Sequence, residues 1–256
     1  VNSSPIEKYC KKNKINFRNP LILDTKEEFK NFKELSPNLI VVVAYGKIIP
    51  KNFLKIAKFG FINIHASLLP KWRGAAPIQR AIMNGDNKIG VSIMKIEEKL
   101  DSGPVLASRE FELDKNATHG EVEKKLSLEG ASLLIQTLKT IETDNANFID
   151  QDHSQATYAK KIDKNETKIN WKIDADKVLA HIHGLSPNPG AWFEFDKERF
   201  KVLRAKISSE KGKSGHVLNE NLTVGCGSKS IKILELQRQG KIRQATKEFL
   251  LGKKIN

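Results

Sequence analysis

The chain has 256 residues, 39% of them hydrophobic and 29% charged, with a formal net charge of +14. That length makes one large domain or two smaller ones, and the apolar fraction excludes a disordered tail. The longest apolar run, residues 39–44, is far short of the roughly 18 residues of a membrane span, and Cys10 with Cys226 cannot make a disulfide scaffold or a Cys-rich zinc site. Residues 5–12 read as a short helix, 15–17 as a brief strand, and 26–35 as an amphipathic helix with Phe29, Phe32 and Leu35 on one side. After the Ser36-Pro37-Asn38 break, 39–44 has the continuous apolar character of a strand buried on both faces of a parallel sheet. A short helix at 50–57, a strand at 61–66, a helix at 77–83 closed near Gly85, and strands at 90–96 and 105–111 follow. Thr118 with Glu121 forms a capping box ahead of a long helix whose stripe is Val122, Leu126, Leu133, Leu134, Leu138 and Ile141. This alternation predicts an α/β fold with a mostly parallel sheet.

The polar stretch 144–157 reads as an interdomain linker, dividing a first domain (1–143) from a second (158–256). The second opens with a helix at 174–183, capped by Asp174. It then turns to strands at 191–195, 199–207, 215–218, 222–225 and 230–237, and closes with a helix at 245–251. Short strands between Gly, Asn and Ser turns predict a small closed or partly open barrel. Charge is uneven: +5 over residues 1–150, zero over 151–200 and +9 over 201–256. Clustering at one end favours a polyanionic partner, and the densest basic cluster is Arg238, Lys241, Arg243, Lys247, Lys253 and Lys254. The competing explanation is compositional, since Lys supplies 36 of the 44 basic residues. A monomeric, cytoplasmic protein without membrane contact is expected.

Three polar residues suggest chemistry. Asn63 and His65 lie two apart on a strand and so share a face. Asp101 follows another core strand in the loop EEKLDSGP. A carboxylate beside an imidazole fixes its tautomer, and an amide supplies a neutral donor for a developing oxyanion. The set suits attack of an amine on a carbonyl, with no Ser or Cys nucleophile evidently paired to this His. From spacing alone, a buried His with all its bonds made and a turn-forming Asp explain the same residues. Trp72 reads equally as a packing residue or a substrate contact. His181 and His183 read as packing residues, and no Cys/His set argues for a metal.

The loop that follows narrows the choice. NIHASLLPKWRGAAPIQRAI, with Asp101-Ser102-Gly103 and the earlier VVVAYGKIIP, resembles the folate-dependent formyltransferases. GAAPIQ is most similar to the branch whose acceptor is methionyl-tRNA, and INWKIDADKVLAHIHGLSPNPGAW resembles the start of that family's second domain. The resemblance implies a Rossmann-like catalytic domain followed by an OB-like barrel that faces tRNA. It implies direct formyl transfer from 10-formyltetrahydrofolate to the amino group of initiator methionyl-tRNA through a tetrahedral intermediate. Asn63 would hold the formyl oxygen, His65 would assist as donor or proton shuttle, and Asp101 would set His65 and help remove the amine proton. Ser67, Leu68, Leu69 and Pro70 match the family's folate-binding stretch, and Gly46, Ile48 and Ile49 would line the pterin pocket. The resemblance starts after the family's first βαβ unit. From this, residues 1–256 alone are expected to be unstable and inactive, and the full-length protein active. Sibling formyltransferases acting on amino sugars, a formyltetrahydrofolate hydrolase domain and a non-catalytic RNA-binding remnant are the alternatives.

Overall fold

The structure, a computed structural model, describes residues 3–253 and Ile255. The chain forms two compact units, Val1–Ile40 with Lys47–Phe61, and Val41–Gly46 with Ile62–Asn256. In the first, α1 (Pro5–Lys12) starts under the Ser4 hydroxyl, which accepts the Glu7 amide at 3.1 Å. Thr25 caps α2 (Lys26–Glu34) in the same way. Phe29 and Phe32 of α2 meet the fully buried Phe53 edge-on, with centroids 5.3 and 5.4 Å apart. Leu35 does not join them. It lies past the helix end, six residues from Phe29 and off the stripe, and stays exposed. Residues 15–17 form no strand, and the helix expected at 50–57 reduces to a 3-10 turn at Phe53–Lys55.

The second unit carries the sheet that positions the site. In chain order its elements are β1 (Ile40–Val43), β2 (Phe61–His65), the two-residue β3 (Arg73–Gly74), α3 (Pro77–Asn84), β4 (Lys88–Lys95) and β5 (Val105–Glu112). The strands are ordered β1-β2-β4-β5, and β4 runs antiparallel to both β2 and β5. The expected mostly parallel arrangement is therefore wrong for these pairs. β4 and β5 are joined by a short connection, which antiparallel neighbours accept and parallel ones do not. β1 stands at the edge of the order with Val41 and Val43 exposed, so burial on both faces also fails.

Next comes α4 (His119–Glu142), where the Glu121 carboxylate accepts the Thr118 amide at 2.9 Å and completes the capping box. Val122, Leu126, Leu133 and Ile141 are buried, while Leu134 and Leu138 are half-buried. Gly130 lets this helix close on the sheet: a Cβ there would lie 2.8 Å from the Ile64 side chain.

β6 (Tyr158–Ala159) runs parallel to β3. Beyond it lie α5 (Ala175–Leu185), β7 (Ala191–Phe195), β8 (Glu198–Ser208), β9 (Val217–Asn219), β10 (Thr223–Gly225), β11 (Ser230–Arg238), β12 (Arg243–Ala245) and α6 (Thr246–Gly252). The sheet order is β7-β8-β11-β10-β9, with β12 on β11. No pairing joins β7 to β9 among the described residues, so this sheet is open. Its concave core holds Val178, Ile182, Leu185, Phe200, Val202 and Ile231. No helix among the described residues is long and apolar enough to cross a membrane.

Three histidines make this unit acid-sensitive. Burial pushes His183, His181 and His119 below their ordinary value of 6.5, with nearby carboxylates only partly opposing it for each. His183 is fully buried; its Nε2 accepts the Ala205 amide at 3.3 Å and its Nδ1 has no partner. Depressed folded values mean that the unfolded chain binds more protons below pH 6.5. Stability is thus complete above 6.5 and falls as pH drops towards the folded values, at up to about 1.4 kcal/mol per pH unit for each group. Urea midpoints are expected to fall clearly between pH 7.5 and 5.5. Equal midpoints would show that these imidazoles titrate normally.

Candidate active site

β2 brings Asn63 and His65 to one face, opposite Met94 and Ser92 of β4. The Asn63 side chain is half-buried and has no hydrogen bond within the described residues. His65 is buried, and its Nε2 lies 2.9 Å from the Trp72 carbonyl oxygen. A carbonyl only accepts, so Nε2 carries the proton and Nδ1 faces the other way, 3.8 Å from Asp101 Oδ2. That distance exceeds a hydrogen bond, so the unprotonated Nδ1 stands beside Asp101 without bonding to it. The same Oδ2 accepts the Gly74 amide at 2.8 Å, while Oδ1 has no partner among the described residues. The site thus holds a free amide, a tautomer-locked imidazole and a carboxylate with one open oxygen.

Trp72 and Asp101 both take left-handed backbone, φ +60° and +45°. For a non-glycine residue this costs roughly 1 kcal/mol or more, so neighbouring bonds must hold it. The Trp72 indole donates to Asp86 Oδ2 at 2.7 Å, and its own amide donates to the Thr157 hydroxyl at 2.9 Å. The structure therefore gives Trp72 a use that the sequence left between packing and contact: its carbonyl fixes the His65 tautomer. Buried Arg73 has no carboxylate partner among the described residues. Its guanidinium meets Gln151 Oε1 at 2.7 and 3.1 Å and His153 Nδ1 at 2.9 Å. Neither Trp72 nor Gln151 carries a sequence signal, because Trp72 acts through its main-chain carbonyl and Gln151 on main-chain carbonyls 48 and 50 residues away.

Ser67, Leu68, Leu69 and Pro70 form the loop leaving β2. Ser67 is buried, donates to the Lys71 carbonyl at 2.6 Å and accepts the Ser92 hydroxyl at its own carbonyl. Leu68 covers Gly90, where a Cβ would lie 2.4 Å from the leucine side chain. Leu69 and Pro70 are half-buried and leave apolar surface for a flat ring. Gly46, at the end of the Val41–Gly46 segment, is exposed with nothing within 4 Å of a Cβ. Ile48 and Ile49, in the first unit, are 84% exposed and half-buried respectively.

Of the basic candidates, Arg238 pairs with Glu198, whose carboxyl is held down to about 2 by Arg238 first and then by Lys253. Arg243 lies 3.4 Å from Glu235. Lys241 and Lys247 are exposed, and neither has an ion pair among the described residues. Lys254 lies outside the described residues. A cavity of about 310 Å³ between Trp171, Phe193, Phe195 and Val217 contains none of the Asn63, His65 and Asp101 side chains. Burial pushes the Cys226 thiol up to about 11, which keeps it unreactive. Among the described residues, no three His, Cys, Asp or Glu side chains gather as a metal site.

An α/β sheet that brings an amide, an imidazole and a carboxylate together is an arrangement suited to group transfer of the acyl type. The formyl transferase family model matches residues 2–138 and the formyl transferase C-terminal domain model residues 161–254. The methionyl-tRNA formyltransferase of Pelagibacter ubique is 47% identical over 257 residues, covering 100% of this chain and 83% of that protein. Two solved structures share the fold. The N-formyltransferase of Helicobacter canadensis, solved with folinic acid and dTDP-3-aminofucose, has a TM-score of 0.70 at 18% identity, covering 93% of this chain and 85% of that one. The methionyl-tRNA formyltransferase of Clostridium thermocellum has a TM-score of 0.58 at 22% identity, covering 80% and 88%. The chain belongs to the formyl transferase family, with a Rossmann-like N-terminal formyltransferase domain and a C-terminal domain.

Proposed function

We propose that the protein transfers the formyl group of 10-formyltetrahydrofolate to the amino group of initiator methionyl-tRNA. The observation that carries the chemistry is the unpartnered Asn63 amide on the His65 face of β2, beside an Asp101 carboxylate with one open oxygen. The acceptor rests on the 47% identical relative and its name. In this reading the amine attacks the formyl carbon directly, and Asn63 donates to the oxygen as it becomes anionic. Asp101 Oδ1 takes the amine proton, and the unprotonated His65 Nδ1 beside it can relay that proton. The new N–C bond replaces the bond from N10 of the folate to the formyl carbon, and the proton ends on N10. His65 acts here through Nδ1, because the Trp72 carbonyl already engages Nε2.

The half-buried Leu68, Leu69 and Pro70, with Ser67 fixing the loop, support contact with the folate ring; a pterin contact by Gly46, Ile48 and Ile49 rests on the family resemblance alone. The domain division at 1–143, 144–157 and 158–256 is supported by matches that end at 138 and resume at 161. The antiparallel sheet of the second part supports an OB-like module; that it faces tRNA, in a cytoplasmic monomer, rests on the family resemblance and the name of the 47% identical relative.

With labelled 10-formyltetrahydrofolate, label is expected in the methionyl amino group of initiator methionyl-tRNA. Label in an amino-sugar nucleotide, or released as formate, would point to a sibling activity instead. For RNA contact, Lys241 and Lys247 lead Arg238 and Arg243, which are already paired to carboxylates. Lys241→Ala and Lys247→Ala are each expected to reduce the slope of log affinity against log salt by about one. Unchanged slopes would assign this charge to composition.

A further inference from the structure

The polar stretch 149–159 is stitched along the catalytic loops. Ile149 and Val105 exchange backbone hydrogen bonds of 2.8 and 2.9 Å. Gln151 Nε2 donates to the carbonyls of Asp101 and Gly103, at 2.9 and 2.7 Å. Thr157 accepts the amides of Trp72 and Arg73, at 2.9 and 2.8 Å. The Ala159 carbonyl accepts the Ala75 amide at 2.9 Å and lies so close to Gly74 that a Cβ there would be 2.9 Å away.

Within this strap, we propose that Gln151 is the positioning residue for Asp101. Asp101 sits in left-handed backbone, φ +45°, which aspartate tolerates better than most residues but which still leaves the turn to be held by its neighbours. Gln151 is buried, and its NH2 group clamps the carbonyls on both sides of Ser102. Its Oε1 takes two bonds from the Arg73 guanidinium, which fixes the amide's orientation. Arg73 in turn is continuous with Gly74, whose amide holds Asp101 Oδ2. One glutamine therefore ties the backbone of the Asp101 turn to the loop that grips its carboxylate. A glutamate could satisfy Arg73 but would set oxygens against two carbonyls. Glutamine alone of the two bridges a cation and a pair of acceptors.

The inference rests on the catalytic assignment of Asp101, and the test separates the two. Gln151→Glu keeps an acceptor for Arg73 and removes both donors to the turn. The double variant Arg73→Met/Gln151→Met, which removes a buried cation together with its acceptor, is the second route should the first not fold. Each is expected to lower kcat by about 10- to 100-fold with KM nearly unchanged, the scale for a displaced catalytic group. Hydrogen exchange at the Gly74 amide should quicken at least about tenfold, because that amide reports where the carboxylate sits. In an Asp101→Asn background, Gln151→Glu should add less than about a twofold loss, as expected for groups acting as one unit. Unchanged Gly74 exchange, or a rise in KM with kcat intact, overturns the positioning role. Faster Gly74 exchange with kcat intact supports positioning and refutes the catalytic assignment of Asp101.

Discussion

Replacing Asp101 with Asn is expected to lower kcat for formyl transfer by about 10²- to 10⁴-fold, the range for loss of a general base. The variant is close to isosteric, and its amide oxygen can still accept the Gly74 N–H that now meets Oδ2 at 2.8 Å. What disappears is the charge 3.8 Å from His65 Nδ1 and the basicity of the open oxygen. The fold should survive, so the thermal midpoint is expected to stay within a few degrees while turnover collapses. A kcat within about threefold of the parent would move proton removal elsewhere. With Asn63 proposed to act on the formyl oxygen and Asp101 on the amine, their losses should be separable in single-turnover measurements.

Gly103→Ala is expected to damage both stability and rate. A Cβ at Gly103 would lie 2.0 Å from the Lys95 carbonyl oxygen and 3.0 Å from its carbon. That carbonyl belongs to β4 and cannot retreat easily, since Lys95 also donates its amide to Pro104 at 2.9 Å. The turn must therefore move, taking Asp101 and the Gln151 contact to the Gly103 carbonyl with it. Overpacking of this kind costs about 1–3 kcal/mol. A shift of about 1 Å at Asp101 would remove roughly another hundredfold in rate. Gly252→Ala, where no atom lies within 4 Å of the new Cβ, is the control and should change neither. A Gly103→Ala protein with parental midpoint and turnover would show that the turn is slack.

The parts of this molecule legible in sequence are those written locally. The Thr118–Glu121 box and the stripe from Val122 to Ile141 depend on neighbours within a few turns, and they stand as read. The Asn63–His65 pair was visible because a strand repeats every two residues. Strand direction was not, because β4 follows a helix and yet turns back antiparallel to β2. Leu35 was misread because it lies past the point where the helix ends and off the face that Phe29 and Phe32 share. The supports of the site were hidden for another reason. Trp72 serves through its carbonyl, and Gln151 through an amide that binds main-chain atoms 48 and 50 residues away. Such contacts place almost no demand on local pattern, so a segment that holds the catalytic turn reads as a plain polar connection.

The central claim is that the Asn63 face of β2 performs formyl transfer to an amine. Its most direct test is the single-turnover rate of formyl transfer from 10-formyltetrahydrofolate to methionyl-tRNA by the full chain and by its Asn63→Ala variant. The account predicts a fall of about 10²- to 10³-fold, the scale for removing one oxyanion donor, with folate affinity kept. An Asn63→Ala protein that transfers formyl at the parental rate would contradict it.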